Sequence, residues 1–563
     1  MYDAQPTYPV IAGAVGVGYD DLAATVRPQQ VVAVDGPQWV RWDELIGGLR
    51  AAWWRSGHET TVTDMREHAR PWPEIERLTA ESMLPGDPDF LRLSTQHLAA
   101  LLEPPAPAPA PDRGVHLIAG PGAALVDHGL LWYVDVARDL GLEAVRRGDA
   151  ANLGQPRGQT GDERRLTFVD WPILDRHRAG LVAKVDCMID LREPARPTWL
   201  TGETLRHTLA ELAGRPFRTR PHFHAGVWGG QWMRERLGIE TDAANLAWSY
   251  ELIAPEAGIR LGTGEDVVEV ALDVLLAVEA ERVLGRADAT AFGSSFPIRF
   301  DYLDTWDGQG LSVHCHPLPG YMQETFGWSY TQHESYYVME TRGDRLIYLG
   351  LRDDADLEEL RREAEAARDD AEPYDITGYV RTFEARAHQL YLVPAGTPHC
   401  SGEGNVVLEV SATPYAYSLR LYDWLRTDLE GSLRPVHVEH ALANVGASRR
   451  GGAVEELIPQ PKVLRHGDGW AEELLGALPE LFFEVRRLVF AVEIADATGG
   501  HYHVLNLVAG VEVTLVTDTG HHHVLHYAET IIVPASVGPY RLRATGAGAS
   551  SPTMVVKAQV RDG

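Results

Sequence analysis

Apolar and polar positions divide this chain into three stretches with different periods. Up to about residue 205, short continuous apolar runs alternate with segments of helical spacing. Residues 31–34 (VVAV) form one such run, closed by Asp35-Gly36-Pro37, and residues 42–55 follow with apolar positions at helical intervals. Two more runs, VHLIAGPG at 115–122 and LLWYVDV at 130–136, repeat the arrangement. The pattern predicts an α/β domain over residues 1–205 whose parallel strands alternate with helices. Asp35, Asp135 and Asp170 end apolar runs and read as caps and turn formers. Between the runs, EPPAPAPAPDR at 103–113 predicts an exposed, extended loop.

From residue 206 the character changes. Residues 215–238 pack aromatics, Gly and Arg into an irregular stretch, and residues 265–284 place Val, Leu and Ala at helical spacing. Residues 353–370 (DDADLEELRREAEAARDD) predict a solvated helix. Beyond it, apolar runs resume at 389–393, 406–410 and 416–421, and strand pairs with one long helical excursion suggest a double-sheet jelly roll. Residues 451–563 read as a weaker copy. HYHVLNLVAGVEVTLV echoes ESYYVMETRGDRLIYL, and ETIIVPASVGP echoes HQLYLVPAGTPH with Pro539 in the place of His399. His501, His503 and His521–His523 then read as solvated imidazoles at a hairpin tip. The expected division is an α/β domain at 1–205, a jelly roll at 206–450 and a degenerate jelly roll at 451–563.

Composition removes some function classes. With 563 residues the chain is too long for one core. A formal net charge of −29 argues against a nucleic-acid or anionic-membrane surface, and obliges any anionic substrate to be met by locally clustered cations and backbone donors. The three cysteines lie far apart, which speaks for a reducing compartment rather than a disulfide framework. No apolar stretch approaches the roughly 18 residues of a membrane span, and the start MYDAQPTYPVIAG has no basic segment leading into an apolar one. The expected compartment is the cytoplasm. Oligomeric state leaves no mark on the pattern.

One constellation carries chemistry. In LSVHCHP, His314 and His316 sit two apart, so on a strand both imidazoles face one cavity and Cys315 faces away. Glu334 follows 18 residues later, and His399 closes the turn PAGTPH. Three imidazoles and a carboxylate suit a divalent transition metal, Zn²⁺ first, with Fe²⁺, Mn²⁺, Co²⁺ or Ni²⁺ also compatible. A second pair, His222 and His224, has no third ligand nearby in sequence and reads as structural.

These motifs, with VWGGQWM (227–233), AWSYEL (247–252), FPIRFDYLD (296–304), FGWSYTQHESYYV (326–338) and SLRLYDW (418–424), resemble type I mannose-6-phosphate isomerases, a cupin-fold zinc family. The resemblance begins near residue 216 and implies interconversion of mannose 6-phosphate and fructose 6-phosphate through a cis-enediol. It implies metal ligation by His314, His316, Glu334 and His399, a catalytic role for Arg420, and a substrate contact from Ser312; Gln332 and Arg299 are further candidate substrate-binding residues on this chain's own sequence. The chain departs from the family at three places. His314 stands where the family has Gln, and Gln332 and Asp301 stand where it has Lys. A divergent cupin enzyme acting on another sugar, or a metal-retaining sugar sensor, are the alternatives these departures raise. The first region faintly resembles P-loop nucleoside kinases, but its turn reads DGPQWVRWD, without the Lys and Ser/Thr that hold phosphate. NTP chemistry is therefore not expected there.

Overall fold

The computed structural model describes residues 1–254, 256–428, 431–446, 448–545 and 552–561. It is a mixed α/β structure whose strands gather in six sheets among the described residues. These residues form two compact units: Pro6–Ala213 with Gly258–Ala280, and Met1–Gln5 with Gly214–Ala257 and Glu281–Gly563.

The first unit is built on a seven-stranded sheet. Its strands are β1 (Gly16–Val17), β2 (Val31–Asp35), β3 (Glu59–Asp64), β4 (Gly114–Ala119), β5 (Leu130–Asp135), β6 (Cys187–Asp190) and β7 (Thr198–Thr201), in the order β1-β7-β6-β5-β2-β4-β3. The stretch from β3 to β6 is parallel, and the remaining pairings are antiparallel. Helix α1 (Trp42–Arg55) occupies the predicted residues and buries Leu45, Leu49 and Trp53. Continuous apolar runs become central strands because both faces of a parallel sheet are covered. Asp35 closes β2 and accepts from the amides of Gly36, Gly122 and Ala124 and from His177 Nε2. Asp135 accepts from Val136 N–H and Arg178. Asp170 departs from the expected capping role. It lies buried at the junction of Leu166–Asp170 and Trp171–Leu181, bracing the loop at Asn152 and Leu153.

Two further features differ from the pattern. The expected boundary at residue 205 falls inside helix Gly202–Leu212, whose Leu205, Leu209 and Leu212 are buried. Residues 265–284 are not one helix. Asp266–Ala271 is a strand paired with Gly258–Thr263, and the helix begins at Leu272. Val267, Val268 and Val270 are β-branched, and a hairpin partner immediately upstream decides between strand and helix.

The second unit contains two β-sandwiches. In the first, β8 (His222–His224), β9 (Trp248–Leu252), β10 (Ile298–Asp304), β12 (Glu334–Thr341), β15 (Leu390–Val393) and β17 (Asn405–Ala412) form one sheet in the order β15-β12-β17-β10-β9-β8. β11 (Val313–Cys315), β13 (Leu346–Leu351), β14 (Val380–Glu384), β16 (His399–Ser401) and β18 (Leu419–Tyr422) form the other, ordered β14-β13-β16-β11-β18. The helical insert is α2 (Leu357–Asp370), started by the Asp356 carboxylate capping Glu358 and Glu359 N–H.

The second sandwich repeats the plan with β19 (Lys462–Gly467), β20 (Trp470–Gly476), β21 (Phe483–Phe490), β22 (Glu493–Ala497), β23 (His503–Ala509), β24 (Glu512–Thr517), β25 (His522–His526), β26 (Thr530–Val533), β27 (Pro539–Thr545) and β28 (Thr553–Val560). Its sheets run β19-β20-β21-β28-β23-β26 and β22-β27-β24-β25. His503 is buried on β23 against the Tyr540 hydroxyl, and His501 contacts Asp288, so neither is a solvated hairpin imidazole.

Candidate metal centre

The first sandwich brings four of the anticipated residues together. His314 on β11 is the direct cross-strand partner of His399 on β16, so their side chains leave the same face of one sheet. His316 follows β11, and Glu334 opens β12 in the opposite sheet. One ligand atom from each of the four lies within 4.8 Å of all the others. None of the four is more than 7 % exposed. Cys315 points away and donates to the Ala441 carbonyl, as strand alternation requires.

Hydrogen bonds fix which imidazole nitrogens face inward. Nδ1 of His314 lies 2.8 Å from the Ser312 carbonyl, Nδ1 of His399 lies 2.8 Å from the Thr397 carbonyl, and Nδ1 of His316 lies 3.4 Å from the Tyr417 carbonyl. A carbonyl only accepts, so each Nδ1 carries the proton and each Nε2 presents a lone pair. Nε2 of His316 and of His399 then sit 2.8 and 2.9 Å from the two oxygens of Glu334. Lone pairs of neutral imidazoles facing a carboxylate at such distances repel unless a cation lies among them. Burial, followed by its two neighbouring imidazoles, pushes the His314 pKa well below its ordinary value, which favours that neutral form. The donor set thus fits a divalent transition ion.

The other anticipated residues surround this group in different ways. Gln332 donates its side-chain amide to Glu334 Oε1. Ser312 contributes its carbonyl to His314. Arg420 on β18 is the cross-strand partner of His314 and therefore faces the same side; its Nε donates to the Pro435 carbonyl at 2.7 Å. Arg299 lies one strand beyond Ser411, which itself pairs with Glu334. Its guanidinium is held between Asp301 at 3.0 Å and Glu409 at 2.6 Å. Glu409 accepts from the hydroxyl of Ser411, the cross-strand partner of Glu334. The sequence reading passed over Glu409; its signal was a single acid inside the apolar run NVVLEVSA, all of which is buried. His222 and His224 stack on edge strand β8 and are not members of the metal-binding group. Among the described residues no helix is long and apolar enough to cross a membrane, and the three cysteines are free and buried.

Residues 18–214 match a family described as a domain of unknown function (DUF8485). The chain is 28 % identical over 231 residues to mannose-6-phosphate isomerase of Streptococcus mutans, covering 40 % of this chain and 66 % of that protein. It is 25 % identical over 230 residues to the probable mannose-6-phosphate isomerase GmuF of Bacillus subtilis, covering 40 % of this chain and 67 % of that one. The chain thus spans about two thirds of the length of these curated relatives. The crystal structure of mannose 6-phosphate isomerase from Bacillus subtilis superposes with a TM-score of 0.51 at 20 % identity, over 61 % of this chain and 99 % of that one, which establishes a shared fold. Beside its DUF8485 segment, this chain therefore carries a part related in sequence and fold to the type I mannose-6-phosphate isomerases.

Proposed function

We propose that this protein is a metal-dependent aldose–ketose isomerase that interconverts mannose 6-phosphate and fructose 6-phosphate through a cis-enediol. The observation that carries the reading is the convergence of three imidazole Nε2 atoms and the Glu334 carboxylate on one buried point between two sheets. His314, His316, Glu334 and His399 would hold the ion, with Zn²⁺ as first choice. A bound divalent cation supplies Lewis-acid stabilisation of negative charge at the sugar's first two oxygens. Gln332 keeps the carboxylate of Glu334 turned inward. The backbone carbonyls of Ser312 and Thr397 keep His314 and His399 in the tautomer that offers Nε2. Arg420, on the same face as His314, would donate to the oxygen that gains charge as the proton leaves carbon 2, a role its shared face with His314 supports. The buried sandwich wall limits water access to the enediol.

In this reading the second unit comprises two cupin-type jelly rolls, the first retaining a metal site and the second without one. The DUF8485 segment is read as a kinase-like sheet without working phosphate chemistry. At the carboxyl end of β2 the Trp42 indole donates to the Pro37 carbonyl, and a Cβ on Gly36 would lie 3.4 Å from its ring. The turn has neither the Lys nor the Ser/Thr that a phosphate-cradling loop uses.

One observation favours a second substrate reading, an unphosphorylated aldose. Two carboxylates, Asp301 and Glu409, flank the Arg299 guanidinium beside the metal group and oppose a second anion there. A coupled assay of metal-loaded protein with mannose 6-phosphate and with free mannose tests both. Turnover that disappears with a chelator and returns with Zn²⁺ is the expected result. Full metal content with no turnover of either sugar defeats the isomerase reading.

A further inference from the structure

The wall beside the metal group holds a donor and an acceptor with no hydrogen-bond partner among the described residues. Arg299 and Asp301 lie two apart on β10, and so share a face. Arg299 is 6 % exposed and Asp301 is fully buried. Each uses part of its side chain within the wall. Arg299 Nε donates to Asp301 Oδ1 at 3.0 Å, and Nη2 donates to Glu409 at 2.6 Å. The remaining atoms, Arg299 Nη1 and Asp301 Oδ2, have no hydrogen-bond partner among the described residues. Buried charged groups left in this state are rare and costly, and they gather where a ligand completes them.

Their position says which ligand. Cross-strand register places Arg299 beside Ser411 and Ser411 beside Glu334, so the pair lies along the wall from the metal group and on its face. Tyr415 underlies the guanidinium at 5.5 Å, and Tyr250 pairs with Asp301 on β9. An N–H donor and a carboxylate oxygen on one strand face, the donor over the Tyr415 ring, match a sugar hydroxyl, which both accepts and donates. A phosphate would meet the Asp301 and Glu409 carboxylates.

We infer that Arg299 Nη1 and Asp301 Oδ2 form a recognition pair for hydroxyl groups of the open-chain sugar, at carbon 3 or carbon 4, beyond the two oxygens at the metal group. The inference rests on the aldose–ketose reading and holds whether or not the far end of the sugar is phosphorylated. It makes both residues specificity determinants, with the reacting carbons handled elsewhere.

The test uses metal-loaded full-length protein, mannose 6-phosphate or, if that is not turned over, mannose, and the 3-deoxy and 4-deoxy analogues of the sugar used. Wild type is expected to discriminate against at least one analogue by about tenfold or more in kcat/KM, because the analogue leaves the pair unmet. Asp301→Asn keeps the shape but turns an acceptor into a donor. It should raise KM for the parent sugar about tenfold, keep kcat within a few-fold, keep full metal content, and treat parent and analogue alike. Arg299→Lys, which keeps the charge and removes Nη1, should move KM in the same direction and covers the case in which the Asn variant does not fold. An unchanged KM in both variants, or a variant that still discriminates against the analogue as wild type does, overturns the assignment. Wild type inactive on both sugars overturns the isomerase reading itself, and the assignment with it. Wild-type turnover therefore tells the two failures apart.

Discussion

The two sandwiches of the second unit solve the same electrostatic problem with opposite charges. Val393 and Val533 each begin a VPA sequence, and their cross-strand partners are Glu334 and His503. From that anchor, Tyr336–Glu409–Asp301 across the first sheet matches Leu505–Lys557–Arg486 across the second. Where the first has two acids, the second has two bases. The internal pair is inverted as well: Arg299 donates to Asp301, two residues on, whereas Arg486 donates to Glu484, two residues back. In the first sandwich, lone pairs from both sheets converge and call for an added cation. In the second, the Lys557 ammonium stands between Glu472 of its own sheet and Asp496 of the other, at 2.8 and 2.5 Å. A built-in ammonium joins the sheets there, so the copy does without an ion. Loss of the late histidine, with Pro539 following the turn, is one part of a wholesale exchange of charge.

The largest effect that can break this comparison comes from the ligands. His399→Ala should reduce bound metal from one equivalent per chain to none and lower isomerisation by more than about a thousandfold, since it removes one of the three imidazole donors and leaves the Glu334 carboxylate without its His399 partner. Pro539→Ala, its counterpart, should leave both unchanged. Metal analysis by mass spectrometry and the coupled assay check the pair of variants. Two equivalents of metal in the wild type would remove the contrast.

Next in size is Lys557→Met. The side chain is 1 % exposed and both of its carboxylate partners are buried. Its loss should destabilise the protein by about 1.5–3 kcal/mol, the scale of a charged hydrogen bond, because Arg465 and Arg486 still face the two acids. Denaturant unfolding measures this, and metal content should remain at one equivalent. Arg420→Ala should keep the metal and lower kcat by about a hundredfold, the scale of one lost donor to a developing anion. An Arg420→Ala enzyme that turns over at the normal rate would remove that residue from catalysis.

The smallest expected effect is the pH dependence contributed by the second sandwich. Despite burial, Lys557 and then the arginines bring the Glu472 pKa down to about 2. A depressed folded value means that its stabilising contribution is complete above the ordinary glutamate range and is lost as pH falls toward 2. His503 is brought down to about 3, mainly by burial. Below about pH 6.5 the unfolded chain takes up a proton there that the folded chain refuses, so stability falls further toward pH 3. Protection factors for the amides of β23 and β28, taken relative to the intrinsic exchange rate at each pH, should therefore fall steadily from pH 6 to pH 3. Lys557→Met should weaken the Glu472 part of that profile while leaving the sign of the His503 part.

Much of this was legible along the chain. The α1 helix began and ended at its predicted residues because its apolar spacing and a flanking turn agree. The HxH pair, Glu334 and His399 could be grouped because strand alternation is local and the motifs are ordered as a sandwich requires. Glu409 could not be grouped with them. Its neighbours Arg299 and Glu334 lie 110 and 75 residues away, and only register across β10, β17 and β12 brings the three together. The strand at Asp266–Ala271 escaped for a related reason. Valine and leucine serve either period, and the decision lay with the Gly258–Thr263 partner.

By itself, then, the sequence determined the donor types, their order and the side of the strand each would take, because these depend on covalent spacing and a period of two. Tertiary structure alone decided which nitrogen of each imidazole faces inward, since that depends on carbonyls at Ser312, Thr397 and Tyr417. It also decided that Arg299 and Asp301 keep one donor and one acceptor unspent, and that Lys557 bridges the copy where the original gathers lone pairs. Hydrogen bonds and ion pairs act over about 3 Å, and such proximity between distant residues is created only when the sheets pack.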